Sequence, residues 1–185
     1  MTAMTVMPRG AAEWTVDDLD LLPDDGLQYE LLDGLLLVSP SPTKRHQRAA
    51  GKLFILLSQA CPPDMEVLFA LDWRPDRLTS LQPDVLVVGD TDLDTVVGET
   101  MILAVEILSP STRRKDPFLK RSKYQDAGVP SYWIIDPAAP SITALELVDG
   151  QYMTVAEAFG DEAAMLEKPF PVTIVPASLI KRPQA

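Results

Sequence analysis

The sequence predicts an α/β or α+β domain in which a mixed β-sheet is flanked by helices and preceded by an N-terminal hairpin extension. Predicted strands outnumber predicted helices, and the two types alternate in groups along the chain. A length of 185 residues with 46% hydrophobic side chains suffices for one domain with a sizeable core. We therefore expect a single domain over residues 1–185, with a flexible start over residues 1–12 and a loosely structured extension over residues 156–185.

The first third of the chain predicts a short helix, a hairpin and a long helix. Thr15 precedes acidic residues in a potential first turn and can cap a short helix. Asp33-Gly34 separates the apolar runs Tyr29–Leu32 and Leu35–Val38, which is a strong signal for a tight antiparallel hairpin. Apolar residues at helical spacing then predict a long helix from a cap at Thr43 to about Ala60.

The rest of the chain predicts mainly strands. In order they cover Glu66–Trp73, Gln82–Val88, Met101–Leu108, Tyr132–Asp136, Ile142–Val148 and Gln151–Val155. A loop is expected over Pro75–Ser80, and a helix over Pro117–Ala127. That helix should stop at Gly128, because glycine adopts the left-handed conformation that favours a helix C-terminus.

Two of these apolar strands each carry a single acid, Asp84 in one and Glu106 in the next. Burying a carboxylate among apolar residues is costly unless something compensates its charge. A divalent cation is a common compensation, and oxygen donors suit Mg²⁺. Two such acids on neighbouring strands therefore predict a metal site.

The composition excludes several classes of protein. Cys61 is the only cysteine, so no intramolecular disulfide can form, and we expect a packed or inert thiol. His46 is the only histidine, which rules out a zinc site of several histidines. Residues 1–12 lack the apolar core of a signal peptide, and no apolar run approaches the ~20 residues of a membrane helix. A cytoplasmic protein without membrane association is expected.

The net charge of the chain argues against nucleic-acid binding, whereas the distribution of its cations is compatible with it. A net charge of −11 is unusual for a protein that coats nucleic acid. Most of the 16 lysines and arginines, however, lie in two short stretches. These stretches contain Lys44, Arg45, Arg48 and Lys52, and then Arg113, Arg114, Lys115, Lys120, Arg121 and Lys123. They either line a substrate cleft or form solvated helix faces.

A series of separated motifs carries a resemblance to a known family. The motifs are Tyr29-Glu30-Leu31-Leu32-Asp33-Gly34, Arg45-His46-Gln47, Pro83-Asp84, Glu106-Ile107-Leu108-Ser109-Pro110-Ser111-Thr112, Lys120-Arg121-x-x-Tyr124 and Ala127–Asp136. In combination they resemble the Uma family of predicted endonucleases, which is assigned to the PD-(D/E)XK superfamily with the restriction-endonuclease-like fold. The resemblance extends from about Tyr29 to Tyr152.

The resemblance implies roles for particular acids. Asp84 and Glu106 match the superfamily's Mg²⁺ ligands, and the reaction implied is hydrolysis of DNA phosphodiester bonds. The main-chain carbonyl of Ile107 would complete the protein part of the shell, with waters and a phosphate oxygen. Glu30 resembles an acid that joins or orients such a shell, or else it is an ordinary strand acid paired with a cation. Mn²⁺ is a possible substitute for Mg²⁺.

The chain departs from the superfamily pattern at one position. The superfamily's lysine lies two residues after the glutamate, where this chain has Leu108. The charge can arrive from another element if the ammonium reaches the same point. Lys120 matches a lysine typical of the family and is the first candidate for this role, with Lys123 second. The alternative for both is an ordinary solvated helix position.

Substrate contacts are expected from a further set of polar side chains. These are His46, Arg45, Gln47, Ser109, Arg113 and Lys123. His46 could contact phosphate or carry a proton, or it could simply pack on its helix. Ser109 could bind phosphate or cap the following helix. Tyr124, Tyr132 and Trp133 occupy apolar helix and strand positions, so we expect them in the core and not as platforms for bases.

Three functions are compatible with these patterns. The first is a Mg²⁺-dependent endonuclease acting on DNA, and the second is a catalytically inactive nuclease-fold protein that serves in binding or assembly. The third is a metal-dependent hydrolase of a small phosphate ester. A homodimer is possible, because a twofold dimer is the simplest way to cut both strands of a duplex. The nucleic acid is either DNA or RNA.

Overall fold

The computed structural model describes residues 5–7, 13–89, 96–97, 100–109 and 116–182. The strands are β1 (Thr5–Met7), β2 (Gln28–Leu32), β3 (Leu35–Ser39), β4 (Met65–Phe69), β5 (Trp73–Asp76), β6 (Thr79–Leu81), β7 (Val85–Gly89), β8 (Val96–Val97), β9 (Met101–Ile107), β10 (Ser131–Asp136), β11 (Ser141–Val148), β12 (Gln151–Phe159), β13 (Ala164–Leu166) and β14 (Val172–Ile174). The helices are α1 (Val16–Leu19), α2 (Lys44–Ala60), α3 (Asp116–Asp126) and α4 (Pro176–Ile180).

Within the described residues, the strands form two six-stranded sheets and a small hairpin. The main sheet has the order β12-β11-β10-β9-β7-β4, and the second sheet has the order β1-β3-β2-β6-β5-β8. In the main sheet β9 and β10 run parallel, whereas the other neighbouring strands run antiparallel. The main sheet is therefore mixed, as predicted.

The main sheet separates two hydrophobic layers, because alternate residues of a strand point to opposite faces. On one face, Val105 and Ile107 of β9 pack with the apolar side of α2 and with the C-terminal elements. On the other face, Ala104 of β9 packs with the second sheet and with Tyr124 of α3. Glu106 belongs to this second face by alternation, so it points toward α3 and the second sheet.

The predicted hairpin and its turn are confirmed. β2 and β3 pair in antiparallel register, with Leu32 opposite Leu35. The two turn residues, Asp33 and Gly34, both have positive φ, of 48° and 76°. Two positive φ angles are what a two-residue hairpin turn requires, since their twist matches that of the strands. The hairpin places Glu30 on the side of the main sheet where the second sheet packs.

The predicted N-terminal ends of the first two helices are also confirmed. The backbone N–H and the hydroxyl of Thr15 donate to the Asp18 carboxylate at 2.9 and 2.8 Å. The hydroxyl oxygen of Thr43 accepts from the backbone N–H of His46 at 3.3 Å. Because Thr43 caps α2, His46 is fixed in the first turn of that helix.

The predicted strand over Glu66–Trp73 is wrong, because the structure divides this segment between the two sheets. β4 ends at Phe69, and Ala70 adopts a positive φ of 38°, which L side chains rarely take. Trp73 then begins β5 in the second sheet and is fully buried. Both halves are apolar, so their composition did not reveal the break between them.

The predicted loop over Pro75–Ser80 is wrong at both ends, because β5 runs to Asp76 and β6 begins at Thr79, and it holds only for the two turn residues between them. The carboxylate of Asp76 accepts from the backbone N–H of Leu78 at 2.8 Å, which closes the turn. The register of the pair shifts between Trp73 and Asp76, and Pro75 lies in this irregular stretch. A proline lacks a backbone donor, so it is tolerated where the ladder is interrupted.

The expectation of a loosely structured extension over residues 156–185 is wrong. β12 continues to Phe159, β13 and β14 pair as a hairpin, and α4 follows. Apolar side chains of this region are buried in the first layer, including Leu166, Phe170, Ile174 and Leu179. The described prolines of this region lie between short elements or at the start of one, so these elements still form. Residues 183–185 lie outside the described part of the chain.

Long side chains of α2 hold the C-terminal helix in place. The ammonium of Lys52 donates to the backbone carbonyls of Ser178 at 2.8 Å and Lys181 at 2.5 Å. The guanidinium of Arg48 donates to the carbonyl of Ile180 at 3.4 Å. These cations therefore satisfy carbonyls at the end of α4, where a helix lacks its own donors.

The structure describes only part of the stretch 1–12, which was expected to be flexible. The described residues are Thr5–Met7, which pair with β3 as strand β1. The rest of that stretch lies outside the described residues.

None of the helices in the described part of the chain combines the length and apolar character needed to cross a membrane.

Candidate active site

The two predicted acids meet at one end of the central strands. β7 and β9 pair in antiparallel register with Val85 opposite Val105, and continuing this register by one position sets Asp84 opposite Glu106. The sequence predicted Asp84 inside the strand Gln82–Val88. In the structure it lies immediately before β7. At the strand end its carboxylate can reach solvent while the fold positions it.

Asp84 is held by two contacts on one carboxylate oxygen. The backbone N–H of Ile107 donates to Oδ2 at 2.7 Å, and Nε2 of His46 lies 3.1 Å from the same atom. The Asp84 side chain retains 21% of its exposure. The main chain of β9 and the first turn of α2 therefore orient an acid that is still accessible from outside.

The ammonium of Lys120 lies between two glutamates. Its Nζ is 2.8 Å from Oε1 of Glu30 and 3.3 and 3.2 Å from Oε1 and Oε2 of Glu106. The side chains of Lys120, Glu30 and Glu106 are 4%, 9% and 10% exposed. A charge cluster so well buried is stabilised by pairing, because each unpaired ion would be costly away from water.

Each member of this cluster comes from a different element. Glu30 is on β2, Glu106 on β9 and Lys120 on α3. The backbone N–H of Gln82 donates to Oε1 of Glu30 at 2.8 Å, so the segment leading to Asp84 also touches the cluster. The site therefore forms where the second sheet, the main sheet and α3 converge.

Tyr124 is a site residue that sequence reasoning placed only in the core. Its ring is fully buried, with ring centroids 5.1 Å from Trp73 and 5.4 Å from Tyr132, so the core prediction is confirmed. Its hydroxyl also donates to Oε1 of Glu106 at 3.0 Å. The available signal was spacing, since Lys120 and Tyr124 are four residues apart and share one face of α3.

The surroundings shift the pKa values of two side chains at the site. Burial works against a charged His46, but the hydrogen bond and charge of Asp84 outweigh it, and the net pKa of His46 is raised. Burial, reinforced by the charges of Glu106 and Glu30, raises the pKa of Tyr124 well above its usual value. Tyr124 is therefore a neutral hydroxyl donor across the ordinary pH range.

The structure does not bring Lys123 into this cluster. Its ammonium pairs with Asp33 at 2.6 Å and with Asp76 at 2.9 Å, at the turns of the two hairpins. These contacts tie α3 to the second sheet. Of the two lysines proposed to replace the missing one, only Lys120 contacts Glu106.

The predicted substrate contacts lie in different places. His46 is buried beside Asp84, whereas Arg45 and Gln47 are exposed in the same turn of α2. Ser109 is half-buried, two residues after the end of β9. Arg113 lies outside the described residues.

The two basic stretches are used mainly inside the fold where the structure describes them. Arg48 and Lys52 hold α4, as described above, and the guanidinium of Arg121 donates to the carbonyl of Tyr152 at 3.0 Å. Lys44 and Arg45 are exposed at the start of α2. Among the described residues of these stretches, the cations left exposed are thus fewer than the sequence suggested.

The described acids do not form a cage of three or more protein ligands for a metal ion. Among the described residues, no group of three or more histidine, cysteine, aspartate or glutamate side chains is placed to hold a metal ion. Glu30 therefore does not join Asp84 and Glu106 in a set of three. Mg²⁺ keeps several waters and is often bound through one or two carboxylates, so the two remaining acids fit it.

Comparisons with known proteins give the family and the fold of the chain. The model of the Uma2 family, described as "Putative restriction endonuclease", matches residues 16–178. A crystal structure from Anabaena variabilis ATCC 29413, titled as a putative nuclease belonging to DUF820, has a similar fold with a TM-score of 0.67. Its sequence identity is 17%, and the alignment covers 84% of this chain and 89% of that chain. No curated protein matches the chain at a significant level. The predicted α+β fold is confirmed.

Proposed function

Because the chain belongs to the Uma2 family, we propose that it is a metal-dependent endonuclease that hydrolyses phosphodiester bonds in DNA. The observation that carries this proposal is the contact of Lys120 with Glu106, opposite Asp84 at the end of the central strands. Two carboxylates can hold a metal ion that assists phosphodiester hydrolysis, and a fixed ammonium beside one of them can stabilise the developing negative charge. Family membership supports this class of reaction, and these contacts support the choice of residues.

Asp84 and Glu106 are the proposed ligands of Mg²⁺, with the carbonyl of Ile107 as a third oxygen donor. When bound there, the ion would lower the pKa of the attacking water and neutralise charge on the phosphate. Mn²⁺ would serve as a substitute. Glu30 enters the proposal as the partner of Lys120, because its carboxylate lies 2.8 Å from that ammonium.

Lys120 has the catalytic role in this proposal. Its ammonium is held between Glu30 and Glu106, so it is fixed next to the acid that faces Asp84. A fixed positive charge at that point stabilises the negative charge that develops on the phosphate in the transition state. The lysine missing at Leu108 would thus be replaced from α3, fourteen residues after Glu106.

The first turn of α2 is the proposed contact for the substrate backbone. His46 orients Asp84, and the neighbouring Arg45 and Gln47 are exposed beside it. Arg45 can neutralise a phosphate of the bound strand, which would make affinity sensitive to salt. Ser109, which follows β9 closely, is a proposed hydrogen-bond donor at the same end of the sheet.

A cleavage assay tests the proposed function. Supercoiled plasmid, linear duplex and single-stranded DNA are incubated with the protein in Mg²⁺, in Mn²⁺ and in excess chelator. We expect cleavage of at least one substrate with metal and none with chelator. Asp84→Asn and Glu106→Gln should each reduce the rate by at least about a hundredfold, because each removes a charged ligand.

Asp161→Asn is the matched control. Asp161 pairs with Lys181 on the exposed surface, so its substitution changes the same type of group away from the site. Its activity should equal that of the unaltered protein. Full cleavage by a folded Asp84→Asn variant would contradict the proposal.

The second candidate function is a nuclease-fold binding or assembly protein without catalysis. One observation favours it, namely that Lys120 already contacts both oxygens of Glu106, so the cluster is also a complete structural ion-pair network. Such a protein would cleave no DNA substrate with any metal, although it is folded. It would also bind no Mn²⁺ through Asp84.

A further inference from the structure

We propose that Lys120 is an internal counter-cation that competes with the divalent cation for Glu106, and that it thereby sets a low metal affinity. This inference rests on the proposed function, because it takes Glu106 as a metal ligand. It adds a role that catalysis alone does not require. The lysine would weaken the binding of metal while it contributes to the chemistry.

The contacts of Lys120 place its charge where a metal ion would need to act. Nζ lies within 3.3 Å of both oxygens of Glu106 and 2.8 Å from Glu30. The lysine side chain is 4% exposed, so water screens its charge little. A second cation that approaches Glu106 therefore meets repulsion from a buried positive charge, and it competes for the same carboxylate oxygens.

The balance of charge at the site points the same way. Glu30, Asp84 and Glu106 bring three carboxylates, and Lys120 brings one ammonium. The lysine therefore offsets one of these negative charges. Without it the attraction for a divalent cation would be stronger.

This role predicts that removing the lysine increases the affinity for the metal ion. Lys120→Met keeps most of the length of the side chain and removes its charge, so metal binding should become tighter while cleavage is lost. A lysine whose charge does not act on the bound metal would leave metal affinity unchanged. A lysine that orients Glu106 for the metal would make the affinity weaker when it is removed. Affinity and activity therefore distinguish the three roles.

The experiment is a Mn²⁺ titration followed by electron paramagnetic resonance of the free ion, without DNA. We expect Lys120→Met to bind Mn²⁺ about tenfold more tightly than the unaltered protein, a coupling of ordinary size between two sites. Lys123→Met is the matched control, since Lys123 lies on the same helix and pairs with two other acids, Asp33 and Asp76. Its affinity should not change.

A second pair of variants covers the case in which Lys120→Met fails to fold. That substitution leaves two buried carboxylates without their cation, which is strongly destabilising. Glu30→Gln together with Lys120→Met removes one charge of each sign and keeps the local balance. Compared with Glu30→Gln alone, this double variant should bind Mn²⁺ about tenfold more tightly.

The outcomes separate the inference from the proposed function. Mn²⁺ binding that is lost in Asp84→Asn, and that is unchanged or weaker without Lys120, overturns the inference and leaves the proposed function standing. If the unaltered protein binds no Mn²⁺ through Asp84, both are overturned. Tighter binding in both comparisons, with Lys123→Met unchanged, establishes the competition.

Discussion

Tyr124 combines a core position with a contact to the charged cluster. Its ring packs between Trp73 and Tyr132, and its hydroxyl donates to Glu106. Because the packed ring cannot move, the hydroxyl fixes the Glu106 carboxylate in one orientation. We therefore regard Tyr124 as a positioning residue for that acid.

Tyr124→Phe should weaken Mn²⁺ binding and lower the cleavage rate, each by about tenfold, because a hydrogen bond to a charged group is lost. The ring packing is retained. Affinity is measured by Mn²⁺ titration and the rate in saturating metal. A merely structural hydroxyl would change neither quantity.

Tyr152→Phe is the control for this prediction. The Tyr152 hydroxyl donates to the carbonyl of Val129 at 2.8 Å, and its ring stacks on Tyr132 in the same layer. It loses a buried hydrogen bond of similar length without touching a carboxylate. Equal effects of the two substitutions on Mn²⁺ affinity would rule out a positioning role for Tyr124.

The individual acids could be predicted from sequence, but their partners could not. Asp84 and Glu106 stand out because an acid in an apolar run is a local feature. The contact between Lys120 and Glu30 joins residues 90 positions apart, so no periodicity within either element reveals it. Family resemblance singled out both residues, and only the structure gives their contact.

The hairpin turn between β2 and β3 is the element that carries Glu30 to the site. Gly34 has a φ of +76°, and a Cβ there would lie 2.9 Å from the Cβ of Glu13. Gly34→Ala should therefore lower the free energy of unfolding by about 1–2 kcal/mol, because both the conformation and the space disfavour a side chain. Urea denaturation measures the change.

Gly51→Ala provides the opposite case for comparison. Gly51 lies within α2, and a Cβ there would meet no atom within 4 Å. Alanine should stabilise the protein by about 0.5–1 kcal/mol, because glycine is unfavourable inside a helix. Equal effects at the two positions would show that backbone conformation at Gly34 does not matter.

The C-terminal elements depend on α2 for their position. Lys52→Met removes two hydrogen bonds to carbonyls at the end of α4, and we expect it to lower the free energy of unfolding by about 2 kcal/mol. The exposed Lys44 on the same helix is the control, and Lys44→Met should change stability by less than about 0.5 kcal/mol. Urea denaturation of both variants decides between these expectations.

The short C-terminal strands and helix could not be predicted from local sequence patterns. Short strands and a five-residue helix carry too few residues for a clear period, and their prolines indicated loops. What orders them is burial of Phe170, Ile174 and Leu179 against the main sheet and α2. Such long-range packing overrides local propensity.

At the scale of the whole molecule, buried tyrosines make stability sensitive to alkaline pH. Burial raises the pKa of Tyr124 and of Tyr152 above the usual value of 10.0. A group whose pKa is higher in the folded state stabilises the protein fully below its unfolded pKa. This contribution is lost as the pH rises toward the folded value.

The free energy of unfolding should therefore fall as the pH rises above about 10. The fall should be less steep in Tyr152→Phe, because one of the titrating groups is removed. Urea denaturation at several pH values between about 8 and 11 measures both slopes. Identical slopes in the two proteins would contradict a raised pKa for Tyr152.

The overall architecture was more predictable than the assembly of its layers. Long apolar strands and the Asp33-Gly34 turn predicted the mixed main sheet and the hairpin, and the fold comparison agrees. The division of Glu66–Trp73 between two sheets was not predictable, because both halves are apolar. The second sheet is nevertheless what brings Glu30 to Lys120, so the site depends on the part of the fold that local patterns did not show.

The measurement that most directly tests the central claim is a Mn²⁺ titration of the unaltered protein, Asp84→Asn and Asp76→Asn. Asp76 is an acid of the second sheet that pairs with Lys123, so it controls for the loss of one negative charge. We predict specific binding in the unaltered protein and in Asp76→Asn, and its loss in Asp84→Asn. Binding that persists in a folded Asp84→Asn variant would contradict the claim that Asp84 and Glu106 form the metal centre.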